Sequence, residues 1–259
     1  MMVEIQKYHE GNRTIETDIV AQEDPMEIRI EGIPTAVLLR TPEHDFDLVY
    51  GFLRTENVIE DATDIQAIAY VGPKHLTNTI DVILASGMSQ NQKNNAHRNF
   101  FSTSSCGICG KASIDRIHQQ CMIRTPPLDV SPKLILSLPN KMKEQQLHFQ
   151  HTGGIHAAAL FDMEGTCLVL REDIGRHNAV DKVIGHIIRE EREEIFETSL
   201  LVVSGRAGFE IVQKAMVVGI PWLIAVGAPS SLAVELAQSG GLGLIGFLRE
   251  KENRFNRYC

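Results

Sequence analysis

Apolar and polar positions change their period along this chain, and the change divides it. Near the start, Met26, Ile28 and Ile30 alternate with polar residues, which predicts a half-buried strand. Residues 35–40 predict a partner strand beyond a turn at residues 32–34. Thr41-Pro42 then reads as a helix N-cap with proline at the first helical position. Phe46, Val49, Tyr50 and Leu53 follow at helical spacing, and two more strands are predicted at residues 65–71 and 79–84. Residues 86–99, SGMSQNQKNNAHRN, have almost no apolar side chains and predict a mobile connection. TPPLDVSP, residues 125–132, predicts a stiff linker.

The second half alternates regularly. A helix is predicted before Thr152-Gly153-Gly154 and a short one over residues 155–160. Strands are predicted at residues 166–170, 200–204, 223–226 and 242–248, with helices at 177–189, 209–218 and 230–238. These strands are continuous apolar runs, as in a sheet covered on both faces. The expected class is α/β, with a smaller α+β N-terminal domain over residues 1–85 and a C-terminal α/β/α domain over 131–259. Residues 86–130 form a linker between them. The run REEREE, residues 189–194, reads as a solvated helix end.

Composition narrows the function classes. At 259 residues the chain has ample material for a core, and 43% apolar with 22% charged residues excludes wholesale disorder. A net charge of -8 argues against binding duplex nucleic acid by bulk charge. No apolar stretch approaches the roughly 20 residues that span a bilayer, and MMVEIQKYHEGNR contains no apolar export core. The expectation is a soluble, cytoplasmic protein with neither nucleic-acid nor membrane partners. Five cysteines, an odd and sparse set, point to a reducing compartment.

Cys106 and Cys109 form a C-x-x-C among Gly, Ser and Thr, with no core pattern around them. Three chemistries fit such a pair. Zinc would need two further ligands, and no second paired motif exists. Thiol–disulfide exchange is favoured by a nearby helix start and by Lys111, but the pair does not follow a thioredoxin-like strand. Persulfide relay needs a nucleophilic, exposed thiol with reach, which a glycine-flanked cysteine on a polar connection offers. Cys167 lies in a predicted strand and reads as core, Cys121 as structural, and Cys259 as incidental. No metal is assigned.

Four polar segments fall near the ends of predicted strands: residues 152–156, 171–178, 204–210 and 228–231. Ligands of open α/β sheets sit at such ends, and helix starts there favour anions. Arg176 and Arg206 add candidate bidentate phosphate contacts. Structural roles compete with these: Asp173 and Asn178 as caps of loop backbone, His156 and His177 as hydrogen-bonded neighbours, and His177, Asp181 and Lys182 as helix-face contacts. At the end, Arg249, Lys251 and Arg254 with Phe255 suit either a purine with phosphates or a plain charged hairpin.

Taken together, SSCGICGKASID (104–115), TGGIHAAAL (152–160), REDIGRHNAVDKVIG (171–185), SGRAGFEIVQKA (204–215) and GLGLIGFLR (241–249) resemble the FdhD/NarQ family of formate dehydrogenase accessory sulfurtransferases. GFLRTEN (51–57) also fits. The resemblance implies a sulfurtransferase that takes sulfur from a cysteine desulfurase as a persulfide. It passes that sulfur to the molybdenum or tungsten cofactor, in its bis-molybdopterin guanine dinucleotide form, destined for formate dehydrogenase. By motif match Cys106 carries the persulfide and Cys109 assists. The cofactor-binding stretch is Phe247, Leu248, Arg249, Glu250, Lys251, Glu252, Asn253 and Arg254, with a guanine nucleotide as mimic. This chain departs there by two extra residues after Arg249 and by the acidic Glu250 and Glu252.

The resemblance also implies a homodimer and a cytidine-deaminase-like C-terminal domain. A zinc deaminase needs H-x-E and P-C-x-x-C ligands at two helix starts. Here those starts read GRHNAVDK and SGRAGFEI, without cysteine. The alternative function is a non-enzymatic cofactor chaperone whose C-x-x-C holds a structural metal.

Overall fold

The computed structural model describes residues 1–72, 78–86 and 129–259. Cys106, Cys109, Cys121 and nearly all of the predicted linker lie outside the described residues. The chain opens with a hairpin that the hydrophobic pattern did not predict, β1 (Met2–His9) and β2 (Asn12–Ile19). Its side chains are almost all exposed, so no buried face marks it in the sequence. Its turn is Glu10-Gly11, both at positive φ (50° and 81°), the geometry of a tight two-residue hairpin.

A four-stranded sheet follows, in the order β4-β3-β6-β5, from β3 (Asp24–Ile30), β4 (Ile33–Arg40), β5 (Ile65–Tyr70) and β6 (Thr79–Leu84). Glu31-Gly32 repeats the positive-φ turn between β3 and β4, and the Gly32 N–H donates to Asp81 Oδ1 at 3.0 Å. One face buries Met26, Ile28, Ala36, Ile80 and Val82 against Leu48, Val49, Phe52 and Leu53 of α1 (Asp45–Thr55). This helix starts later than predicted. Thr41 is not its cap, because its N–H donates to Asp173 Oδ2 and its hydroxyl accepts the Ile174 N–H. The helix instead begins after Glu43 and His44, both in left-handed backbone.

The second half builds a six-stranded sheet, β12-β11-β10-β9-β7-β8. Its strands are β7 (His156–Phe161), β8 (Cys167–Asp173), β9 (Leu200–Val203), β10 (Trp222–Ala225), β11 (Gly243–Arg249) and β12 (Arg254–Arg257). The middle strands β9, β10 and β11 are parallel. Alternate residues face two cores. One side packs Leu160, Leu201, Val203, Leu223 and Leu244 against α4 (Arg176–Arg189), α5 (Phe209–Val217) and α6 (Ser231–Gly240). The other packs Phe161, Val202, Trp222, Ile224 and Ile245 against Ile135, Leu138 and Met142 of α2 (Pro132–Glu144). The result is a helix–sheet–helix layering, and the fully buried β9 and β10 explain their unbroken apolar runs. Ser131 and Pro132, read as linker, are the N-cap and first turn of α2.

Where a short helix is predicted over residues 155–160, the chain instead forms strand β7, His156–Phe161. The alanines favour a helix, but the segment pairs on both sides, with β8 and β9, and that double ladder overrides propensity. The predicted helix before Gly153 is present as α3 (Leu147–Thr152), closed by Gly153 at φ 63°. Arg189, read as part of a solvated end, reaches across to the buried Asp47.

The two sheets are joined by α1 packing on α4 almost backbone to backbone. A methyl group on Gly51 would overlap the Asp181 carbonyl oxygen, and one on Gly185 would overlap the Asp47 carbonyl oxygen. Gly185→Ala must therefore push the helices apart. We expect it to cost about 1–3 kcal/mol, read as a lower urea midpoint at unchanged slope. An unchanged midpoint would show that the helices part freely.

Candidate functional site

At the carboxyl ends of β9, β10 and β11, beside the start of β7, lies a cavity of about 710 Å³. That size suits a nucleotide-scale ligand. Its walls come from distant parts of the chain: Pro139 and Asn140 of α2, His156 at the start of β7, and Arg176 at the start of α4. Ser204, Gly205 and Arg206 follow β9, and Val226 and Gly227 follow β10. Leu248 and Arg249 end β11, and Glu250, Lys251 and Glu252 form the turn beyond it.

Local backbone rules produce this arrangement. Each of α4, α5 and α6 begins just after a strand, with Gly175, Gly208 and Ser230 at the N-cap. The Ser230 hydroxyl accepts the Ala233 N–H at 3.3 Å. The loops after β9 and β10 approach so closely that a side chain on Gly227 would collide with the Gly205 carbonyl. β11 carries a bulge between Gly246 and Arg249. There Phe247 adopts φ 53° and donates its N–H to the Gly227 carbonyl at 3.0 Å. The bulge turns the strand end back over the cavity. Arg249 Nη1 donates to the Val226 carbonyl at 2.7 Å and the Leu248 carbonyl at 3.0 Å, which fixes the guanidinium at the rim.

The lining is rich in cations: Arg176, Arg206, Arg249 and Lys251 border the cavity, the last on the exposed turn it shares with Glu250 and Glu252. The Arg176 Nε is buried without a hydrogen-bond partner, the single such side-chain atom among the described residues. A buried unsatisfied donor is costly, so an anion accepting from it would be bound favourably. Ser204 Oγ accepts the Ala157 N–H at 2.9 Å, which leaves its own proton to donate. His156 is half-buried, and its pKa is pushed below that of an ordinary imidazole by burial, then by Arg176 and His177. His177 is held by Glu210, Nε2 to Oε2 2.9 Å, and this pairing keeps the Glu210 carboxyl below its usual range.

A sequence model of the FdhD/NarQ family matches residues 21–259. The chain belongs to the FdhD/NarQ family. It is 45% identical to the sulfur carrier protein FdhD of Streptomyces avermitilis over 94% of this chain and 88% of that one. It is 40% identical to the protein of that name in Sulfolobus acidocaldarius, over 99% and 95%. A crystal structure of a candidate formate dehydrogenase accessory protein from Desulfotalea psychrophila has a TM-score of 0.76 at 23% identity. It covers 100% of this chain and 96% of that one, so the fold is shared.

The FdhD/NarQ segments sort clearly on this fold. TGGIH, GRH and SGR bring His156, Arg176, Ser204 and Arg206 to one cavity, although they lie far apart in sequence. Of the C-terminal stretch, Leu248, Arg249, Glu250, Lys251 and Glu252 border the same cavity, whereas Phe247, Asn253 and Arg254 are not among its walls. Arg254 pairs with Glu252, and Phe255 packs against the core that holds Trp222 and Leu248. The segment 228–231 also stands back from the cavity; the residues just before it, Val226 and Gly227, face it instead. Asn140 was missed. It is one of several polar residues of α2, beside Lys133, Ser137, Lys141, Lys143 and Glu144, and only the tertiary packing brings it to the site. Among the described residues no helix is long and apolar enough to cross a membrane.

Proposed function

We propose that this chain is a sulfur carrier that equips formate dehydrogenase with sulfur, acting as a sulfurtransferase. Cys106 thiolate attacks the outer sulfur of a cysteine desulfurase persulfide. The S–S bond breaks, the donor cysteine leaves as thiolate, and Cys106 holds the sulfur as its own persulfide. Attack by Cys109 on the inner sulfur would form a Cys106–Cys109 disulfide and release hydrosulfide, so the second thiol assists delivery. The acceptor, a substrate rather than a resident group, is the molybdenum or tungsten bis-molybdopterin guanine dinucleotide. We assign its nucleotide part to the cavity, with the donors at Arg176, Arg206, Arg249 and Lys251. We read the six-stranded unit as cytidine-deaminase-like, the protein as a cytoplasmic homodimer, and the three-part division 1–85, 86–130 and 131–259 as its organisation.

The observation that carries this reading is the unsatisfied, buried Nε of Arg176, which borders a cavity lined by cations from separate segments. Family membership and the names of the relatives support the sulfur-carrier role. The test is calorimetric titration with GDP. Arg176→Ala and Arg206→Ala should each weaken binding by about 10- to 100-fold, the worth of a charge-assisted hydrogen bond of about 1.5–3 kcal/mol. Unchanged affinity in both would sink the assignment of the cavity.

A further inference from the structure

His156 occupies a peculiar position in this cavity. It is the first residue of β7, half-buried, and its ring lies against the Ser204-Gly205 turn and the Arg176 side chain. A Cβ placed on Gly205 would meet His156 Nδ1 at 3.4 Å and Arg176 Cδ at 3.6 Å, so all three share one wall. Its backbone is fixed by pairing with Asp173 in the ladder of β7 with β8. Its ring, by contrast, makes no ion pair with any described residue, whereas His177, one element away, is held by Glu210. The imidazole is therefore a polar group facing a cation-rich cavity without a tie of its own.

The groups around it set its charge. From α4, Arg176 and His177 oppose a positive imidazole; from β8, Asp173 favours one. Asp173 is already committed, since it accepts from Lys182 Nζ at 2.7 Å, the Gly175 N–H at 2.8 Å and the Thr41 N–H at 3.1 Å. The cavity is also lined by Arg206, next to Gly205, and by Arg249 and Lys251, with Glu250 and Glu252 on the exposed turn that carries Lys251. The balance keeps the ligand-free ring neutral at physiological pH. An anion seated among the arginines reverses that balance, because an opposite charge within ~4–6 Å moves a pKa by about 1–3 units.

We propose that His156 is a further anion ligand of this cavity, and that seating a phosphorylated ligand takes up a proton at its imidazole. The inference rests on the reading that the cavity binds a nucleotide. The sign follows from linkage. The free ring is neutral and the bound ring charged, so affinity falls as pH rises through the bound-state pKa, by at most about tenfold per unit for one proton. The phosphate's own second ionisation, near 6, runs the other way, because cations strip its proton. Measurements at about pH 7.5 lie above that ionisation.

The experiment is titration of the full chain with GDP at that pH in buffers of different ionisation enthalpy, which counts protons exchanged on binding. Wild type is expected to take up protons, and its affinity is expected to fall between pH 7 and 8.5. His156→Gln should bind without uptake and with a flat pH profile, while His177→Gln should keep the uptake. Binding by wild type without proton uptake, or undiminished uptake in His156→Gln, would overturn the inference while leaving the nucleotide cavity intact. Absence of GDP binding by wild type at every pH would overturn both. The wild-type measurement stands alone if a variant fails to fold.

Discussion

Cys106→Ala is expected to abolish sulfur loading. Incubated with a cysteine desulfurase and cysteine, the wild-type chain should gain the mass of a sulfur atom, and the variant should gain none. The reason is one of thiolate supply. A sulfur acceptor must present a thiolate, and an ordinary thiol at neutral pH is only a few per cent ionised. Two of the five cysteines are poorer still. Burial pushes the Cys167 thiol up in β8, and it does the same to Cys259, whose Sγ also donates to the Leu242 carbonyl at 3.0 Å. Cys106 instead stands in SSCGICGKAS, with Lys111 close in sequence and no apolar neighbour pattern to bury it. Cys109→Ala should still load sulfur but release it differently. An equal sulfur adduct in Cys106→Ala would make the assignment wrong. Stoichiometric zinc, removable only with unfolding, would favour the metal-holding chaperone.

Much of the fold was legible because its strands and helices carry strong periods. The buried strands β9 and β10 are unbroken apolar runs, and α4 repeats Val180, Val183, Ile184 and Ile187 on one face. What failed to show was decided by partners distant in sequence. The β1–β2 hairpin has no buried face to impose alternation, and the alanines of β7 are strand only because β8 and β9 flank them. The candidate cavity was half legible. The polar loops at the strand ends announced Arg176 and Arg206 by position, but Asn140 gave no signal, and Arg254 carried the right charge on the wrong side of the turn. Several residues in those same signatures serve the frame. Glu172 accepts the His148 and Phe149 N–H groups, both at 2.8 Å. Asn178 bonds the Leu39 carbonyl at 2.7 Å, and Lys182 bonds the Thr41 carbonyl at 2.8 Å. A motif therefore mixes site and scaffold, and only the contacts separate them.

Asp181 and Lys214 show that separation at its sharpest, and removing one of them is expected to be severely destabilising. They come from different signatures, REDIGRHNAVDKVIG and SGRAGFEIVQKA, yet neither borders the cavity. Lys214 Nζ reaches both Asp181 carboxylate oxygens at 2.8 Å, and the Thr55 hydroxyl of α1 donates to Asp181 at 2.9 Å. Burial works against the Lys214 charge, but the Asp181 carboxylate overrides it, and the net effect holds the ammonium above an ordinary lysine. Asp181→Ala would leave that ammonium buried with only the Thr55 hydroxyl, at 2.9 Å, as a partner. The expected loss is about 3–5 kcal/mol, the cost of orphaning one member of a buried pair. Replacing both, as in Asp181→Leu with Lys214→Met, should recover most of it, because two apolar groups need no compensation. Urea unfolding of the single and double variants reads the coupling between them. Singles that lose less than about 1 kcal/mol would class the pair with weak surface bridges instead. The double variant, once folded, should bind GDP as wild type does. Lost binding there would move the pair from the frame into the site.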